Sequence, residues 1–329
     1  MSRHLDIGIV GAGPVGLAAA IAAKRGRLAA RVWDRGPLAA SLLGYPLNMV
    51  FFTSNELLEI GGHPFTSGGP KATRREALDY YRKVAEREQL DIDTYCEVSA
   101  VERGENGFLV AVTGPGGDQR VACRTVIIAT GYYHRPRLLG VPGETLPHVS
   151  HYFREAHPLW RRRVVIVGGG NSAAEAALEI WRAGGEVTML VRGENIRDTV
   201  KYWVRPDLEN RIREGSIAAS FSTVVEAITA TTVRFRTGTR QGEIRADAVL
   251  LLTGFTADTT LVRQAGAAIR ADCSVVLDPD CFETTVRGLY VVGSAGFGTR
   301  TGEVFIENGR LHAAAAVAHI ARRLGPDHS

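Results

Sequence analysis

The chain has 329 residues, 45% of them hydrophobic and 22% charged, with a formal net charge of +4; such values describe a globular protein of about two domains and exclude a disordered or low-complexity chain. No apolar run approaches the ~18 residues that a membrane-spanning helix needs, and the positive balance comes from scattered arginines, which argues against nucleic acid and suits small anionic ligands. Four cysteines, Cys96, Cys123, Cys273 and Cys281, form no C-x-x-C pair, which speaks against a zinc ribbon and a dithiol redox centre; the first strand follows Met1 so closely that no leader is expected, and the cytoplasm is the expected compartment.

An apolar strand is expected from Ile7 to Val10, then the turn Gly11-Ala12-Gly13-Pro14-Val15-Gly16, an Ala-rich helix, and a strand Arg31-Val32-Trp33 ending at Asp34. In such a βαβ unit the first glycine makes the tight turn and the second lets backbone approach a pyrophosphate. The third allows close helix packing, and the helix N-terminus supplies N–H donors. Asp34 is placed to accept hydrogen bonds from a ribose. The stretch Asn48 to Ser54, rich in aromatic and hydroxyl side chains, suits a loop over a planar ring, although Phe51 and Phe52 suit a core equally.

Thr125 to Gly131 reads as a buried strand closed by a small-residue turn, followed by a Pro-rich crossover to Gly143. His148, His151 and His157 lie close together, but no carboxylate or cysteine completes a ligand set, so no metal is expected. His151 and Tyr152 are candidate catalytic residues beside the substrate. The plan then repeats: strand Val164 to Val167, turn Gly168-Gly169-Gly170-Asn171-Ser172-Ala173, helix to about Arg182, strand Val187 to Val191. In place of Asp34 stands Arg192, with Arg197 beyond it. Cations there pair with a 2′-phosphate and select NADPH over NADH. Lys201, Tyr202, Trp203 and Arg205 read either as an anion-binding patch or as a helix start that Pro206 breaks. A second strand-Thr-Gly segment, Ala248 to Gly254, brackets an inserted domain. The last elements are a strand Leu289 to Val292, a Gly-rich loop from Gly293 to Gly302 and a helix around Leu311 to Arg323. The expected fold is α/β, with two Rossmann-like, doubly wound, three-layer domains: residues 1–131 and 251–329 form the outer one and 132–250 the inserted one.

The order G-A-G-P-V-G, I-I-A-T-G, G-G-G-N-S-A, L-L-L-T-G and L-Y-V-V-G resembles the low-molecular-weight thioredoxin-reductase-like flavoproteins over nearly the whole chain. The resemblance implies FAD in the outer domain, held by Gly11, Gly13, Pro14, Val15, Gly16, Asp34, Asn48, Val98, Thr130, Gly131, Gly293 and Ile306. It implies NADPH in the inserted one, held by Gly168, Gly170, Asn171, Ser172, Ala173, Arg192 and Arg197. The segments from Tyr45 to Ser54, Lys201 to Asn210 and Phe305 to Arg310 further resemble the bacillithiol disulfide reductase branch. Many members carry a cysteine where this chain has Val15, and thioredoxin reductases carry a C-x-x-C that is absent here. The implied activity is NADPH-dependent, FAD-mediated reduction of a low-molecular-weight thiol disulfide by a homodimer. The alternatives are a ferredoxin or flavodoxin NADP reductase, a flavin monooxygenase and a non-enzymatic redox sensor.

Overall fold

The computed structural model describes residues 4–325. The chain divides into two compact units, Met1–Gly44, Met49–Arg135 and Phe255–Ser329 in one, Tyr45–Asn48 and Pro136–Gly254 in the other.

The first unit opens with β1 (Leu5–Val10), α1 (Pro14–Arg25) and β2 (Ala30–Asp34). β1 is buried from Asp6 to Val10, as a central parallel strand covered on both faces must be. Pro14 occupies the first turn of α1, where its missing N–H has no helical partner to lose. Two short helices follow, α2 (Ala40–Leu43) and α3 (Asn55–Leu58), then the longer α4 (Arg74–Arg87). α4 starts at a capping box in which Glu76 N donates to Thr73 Oγ1 at 3.2 Å and Thr73 N donates to Glu76 Oε2 at 2.8 Å. Strands β3 (Ile92–Thr94), β4 (Glu97–Gly104), β5 (Gly107–Gly114) and β6 (Gly117–Ile128) complete this part.

The second unit holds β7 (Val149–Ser150), β8 (Arg163–Val167), α5 (Asn171–Arg182), β9 (Glu186–Leu190), α6 (Arg205–Arg213) and β10 (Ala218–Ser220). Strands β11 (Thr223–Ile228), β12 (Thr232–Thr237) and β13 (Arg240–Arg245) precede β14 (Ala248–Leu251). A parallel sheet runs β10-β9-β8-β14-β7, and β11-β12-β13 is a separate antiparallel meander. The chain then returns to the first unit with α7 (Thr260–Gln264), β15 (Leu289–Val291) and α8 (Ile306–Leu324).

The first unit's sheet is ordered β3-β2-β1-β6-β5-β4, with β15 also on β6. β6 serves two neighbours along its length: its first half pairs antiparallel with β5, its second half parallel with β1 and β15. Side chains alternate between faces. Ile7, Ile9, Val32, Ile127 and Tyr290 pack under α1 and α8, while Val10, Trp33, Val126, Ile128 and Val291 pack under the β4–β6 meander and α7. A meander thus forms the third layer, a feature the periodicity did not reveal. Pro206 lies in the first turn of α6 and starts that helix, correcting the expectation that it breaks one. The last helix begins at Ile306, earlier than expected. Among the described residues no helix is long and apolar enough to cross a membrane.

Candidate functional site

In the first unit the glycine turn is built by close approaches. Gly11 has φ +108°, and a Cβ there would lie 2.6 Å from Ala129 O; a Cβ on Gly16 would lie 1.9 Å from Gly11 O. Both positions therefore require glycine. Gly13 differs: its φ is −74°, and a Cβ would meet no atom within 4 Å. Gly13 is the N-cap of α1 with no side-chain cap and no acidic residue in the first turn, an arrangement that suits an anion at the helix N-terminus.

Asp34 closes the turn. Its carboxylate accepts from Ala12 N at 2.7 Å and from Gly36 N at 2.8 Å. Burial raises its pKa, against the lowering by those two amides and Arg35. A carboxylate offers about four lone-pair sites, so acceptors remain for a ligand. Cys96 N donates to Asp34 O at 2.8 Å, which brings the start of β4, and Val98 on it, beside the end of β2. Thr130, next to Ala129, has a buried Oγ1 with no protein partner; a buried hydroxyl in that state calls for one. At Gly131 (φ +66°) a Cβ would lie 3.7 Å from Ser294 Oγ. Val15 lies between two other glycines: a Cβ would sit 3.1 Å from it at Gly293 (φ +64°) and 3.0 Å at Gly309. The first turn of α8, with Ile306 as its first residue, is thereby joined to the first glycine turn.

Glu307, a residue to which the sequence assigned no chemistry, also sits in that turn. Burial raises its pKa, while a hydrogen bond from Thr53 and the charge of Arg310 lower it. Arg310 in turn donates to Glu56 O at 3.0 Å and to Glu59 O, which fixes α8 against α3. Its sequence neighbours gave no sign of this burial: Arg310 lies one turn along the same helix, but Thr53 reaches it from a segment some 250 residues away.

The second unit repeats the geometry. Gly168 has φ +141°, and a Cβ there would lie 2.4 Å from Leu252 O, while Gly170, the uncapped N-cap of α5, has nothing within 4 Å. Ala173 is fully buried where the first unit has Gly16. Asn171 secures the neighbouring loop, donating to Thr199 O at 3.1 Å and accepting from Lys201 N at 2.9 Å. Arg197 N donates to Gly169 O at 3.2 Å, and Ser172 is exposed on the opening turn of α5. Arg192 and Arg197 are exposed, and among the described residues neither side chain has an ion-pair partner. Arg205, by contrast, is held by Asp198 and Glu209.

Asn48 falls in the second unit with Tyr45–Asn48, where Leu47 N donates to Arg154 O at 2.8 Å. His151 faces Glu144, Nε2 to Oε1 at 3.5 Å, and Glu144 itself accepts from Leu139 N and Gly140 N at 2.7 Å each; Tyr152 is turned by Ser150, whose hydroxyl donates to its carbonyl. These contacts tie both residues to the crossover. All four cysteines are free thiols, and burial pushes Cys123 up to about 12. Among the described residues, Cys281, Glu283 and His319 are the group with metal-ligand spacing, but Glu283 is already paired with Arg323 at 2.5 Å.

Twin glycine turns with free helix N-termini, carried on two α/β units of one plan, define an oxidoreductase of the thioredoxin-reductase-like class, which works with FAD and a pyridine nucleotide. The chain belongs to the pyridine nucleotide-disulphide oxidoreductase family, whose pattern it matches over residues 8–293. It is 38% identical over 317 residues to the bacilliredoxin reductase Bdr of Bacillus subtilis (strain 168), covering 96% of this chain and 97% of that one. Among solved structures it is similar to bacillithiol disulfide reductase Bdr (YpdA) from Bacillus cereus, with a TM-score of 0.95, 34% identity and coverage of 98% and 100%. The corresponding protein from Staphylococcus aureus gives 0.92, 33%, and 99% and 100%. Thioredoxin reductase from T. acidophilum, at 19% identity and a TM-score of 0.76 over 98% of this chain and 99% of that one, shares the fold.

Proposed function

We propose that this enzyme is an NADPH-dependent reductase of a low-molecular-weight thiol disulfide of the bacillithiol class, acting in the cytoplasm as a homodimer. The observation that carries the reading is the contrast between two otherwise matched turns: Asp34 ends the second strand of one, while in the other the matching residue is the apolar Val191, followed directly by the exposed and unpaired Arg192. A carboxylate suits ribose hydroxyls, and exposed guanidinium groups suit a 2′-phosphate. The buried orphan Thr130 hydroxyl and the open space at Gly13 fit FAD in the first unit; the open space at Gly170 and the free arginines fit NADPH in the second. When bound, FAD would supply two-electron redox chemistry between the nicotinamide and the disulfide, held by the turn at Gly13, Asp34 and Thr130. Around it the chain orients and protonates. The amides at the start of α1 and α5 hold the two pyrophosphates, Val15 presents an apolar surface between Gly293 and Gly309, and Glu307 retains a proton more readily than an ordinary carboxyl.

Val15 means that electrons leave without a thiol inside the first turn. The test is to reduce the purified holoprotein anaerobically with NADPH and offer it bacillithiol disulfide, other small disulfides and ferredoxin in parallel. Oxidation of the flavin by bacillithiol disulfide is expected. Failure with every disulfide overturns the reading, and oxidation by ferredoxin alone replaces it with a ferredoxin reductase.

A further inference from the structure

A cleft of about 290 Å³ lies in the first unit, lined by Arg103, Arg124, Arg287 and Arg323 together with Glu105 and Asn106. Its guanidinium groups come from four separate elements: the end of β4, the middle of β6, the turn before β15 and the last turn of α8. It sits where β6 begins its pairing with β1, since Cys123 pairs with Leu5 and Thr125 with Ile7. The glycine turn follows the other end of β1, so the cleft is not the dinucleotide cradle.

Tight backbone approaches fix its walls. Gly107 has φ +143°, and a Cβ there would lie 2.2 Å from Cys123 O and 2.8 Å from Arg124 Cα. At Gly288 (φ +89°) a Cβ would lie 3.5 Å from Arg124 O. Two arginines are anchored from behind, Arg124 by Asp6 at 3.3 Å and Arg323 by Glu283 at 2.5 Å. The other two, Arg103 and Arg287, are exposed and have no ion-pair partner among the described residues. Among the described residues, Glu105 is the one carboxylate that shares the lining.

With Arg124 and Arg323 paired by carboxylates outside the lining, Arg103 and Arg287 are the cations left to face a ligand, against the single lining carboxylate Glu105, and a partly enclosed geometry concentrates the resulting potential. The planar guanidinium fork matches phosphate and carboxylate oxygens in pairs. The volume lies at the lower edge of the range for small-molecule sites, roughly 300–1,000 Å³, too small for a dinucleotide. We infer that this cleft is a second anion site of the enzyme, taking a compact ligand with two or more phosphate or carboxylate groups. Arg124 and Arg323 form its fixed base, and Arg103 and Arg287 close on the ligand.

The experiment uses the FAD-loaded enzyme at constant ionic strength, titrated calorimetrically with pyrophosphate and, separately, with citrate; the two arms distinguish a phosphate from a carboxylate ligand. Saturable binding of one of them is expected, weakened at least tenfold in R103A/R287A, whose flavin spectrum and unliganded melting temperature match wild type. An R192A/R197A variant keeps this binding, which separates the cleft from the second glycine turn and from the proposed function. Binding unchanged in R103A/R287A, binding lost in R192A/R197A, or heat no greater than that of sodium chloride at matched ionic strength each overturns the proposal, the last leaving an adventitious ion only.

Discussion

Substituting Gly13 by alanine separates folding from cofactor binding. The backbone there is extended (φ −74°, ψ 174°), and the new methyl would meet no protein atom within 4 Å. Alanine is a poorer N-cap than glycine by up to about 1 kcal/mol, and its stiffer unfolded chain returns about 0.4–1 kcal/mol. The two nearly cancel, so the melting temperature of the apoprotein should move by no more than about 2–4 °C. The methyl does occupy the space into which the α1 amides point, where pyrophosphate must approach closely. A loss of about 100-fold in FAD affinity, roughly 2.7 kcal/mol, is expected by flavin fluorescence titration. Gly16→Ala behaves oppositely: its methyl falls 1.9 Å from a backbone oxygen that no rotamer can avoid, so overpacking of about 3 kcal/mol or more should lower the apoprotein's stability to denaturant. Wild-type FAD affinity in Gly13→Ala, or wild-type stability in Gly16→Ala, refutes the assignment of the turn. Gly170→Ala, equally unobstructed, should leave FAD bound and weaken NADPH.

Further outcomes follow from the same geometry. Replacing both Arg192 and Arg197 by alanine should raise KM for NADPH by about 10-fold or more and leave KM for NADH unchanged in steady-state assays; equal effects on both nucleotides would contradict a 2′-phosphate role. Disulfide turnover by the wild type should resist alkylation with iodoacetamide, because Cys123 and Cys281 are buried with raised pKa values and residue 15 is valine. Val15→Cys should become sensitive, as a thiol in the first turn of α1 is activated by the helix N-terminus; inhibition of the wild type would reveal a thiol step. Glu307 has a folded-state pKa above its unfolded value, so its contribution to stability is full below the unfolded value and is lost as pH rises through the folded one. Glu307→Gln should therefore be more stable than wild type at neutral pH, with the gap closing in acid; denaturant midpoints at pH 7.5 and 4.5 give the sign.

The two glycine turns and the strand end at Asp34 were legible because each depends on short-range rules: a strand, a tight turn and a helix start lie within some twenty residues of one another. The register that puts Val191, and not Arg192, opposite Asp34 came only from the strand pairing. The β4–β6 meander was not legible, since its strands Glu97–Gly104 and Gly117–Ile128 carry exposed stretches at their outer ends that blur the alternation. Helix α4 was overlooked although its signals are local: Thr73 and Glu76 form a capping box, and Ala77, Tyr80, Tyr81 and Val84 recur at helical spacing opposite a polar face. The partners of His151 and Tyr152, Glu144 and Ser150, belong to the crossover's own turn network, which no periodicity records.

What the sequence determined by itself is the pair of glycine turns, each between a buried strand and a helix N-terminus, because local backbone geometry suffices to specify each. Only the tertiary structure decided which groups share a space: Val15 between Gly293 and Gly309, Glu307 held by Thr53, and four arginines from four elements around one cleft. Those neighbours are separated by tens to hundreds of residues, and nothing in a local pattern records which strands will lie side by side.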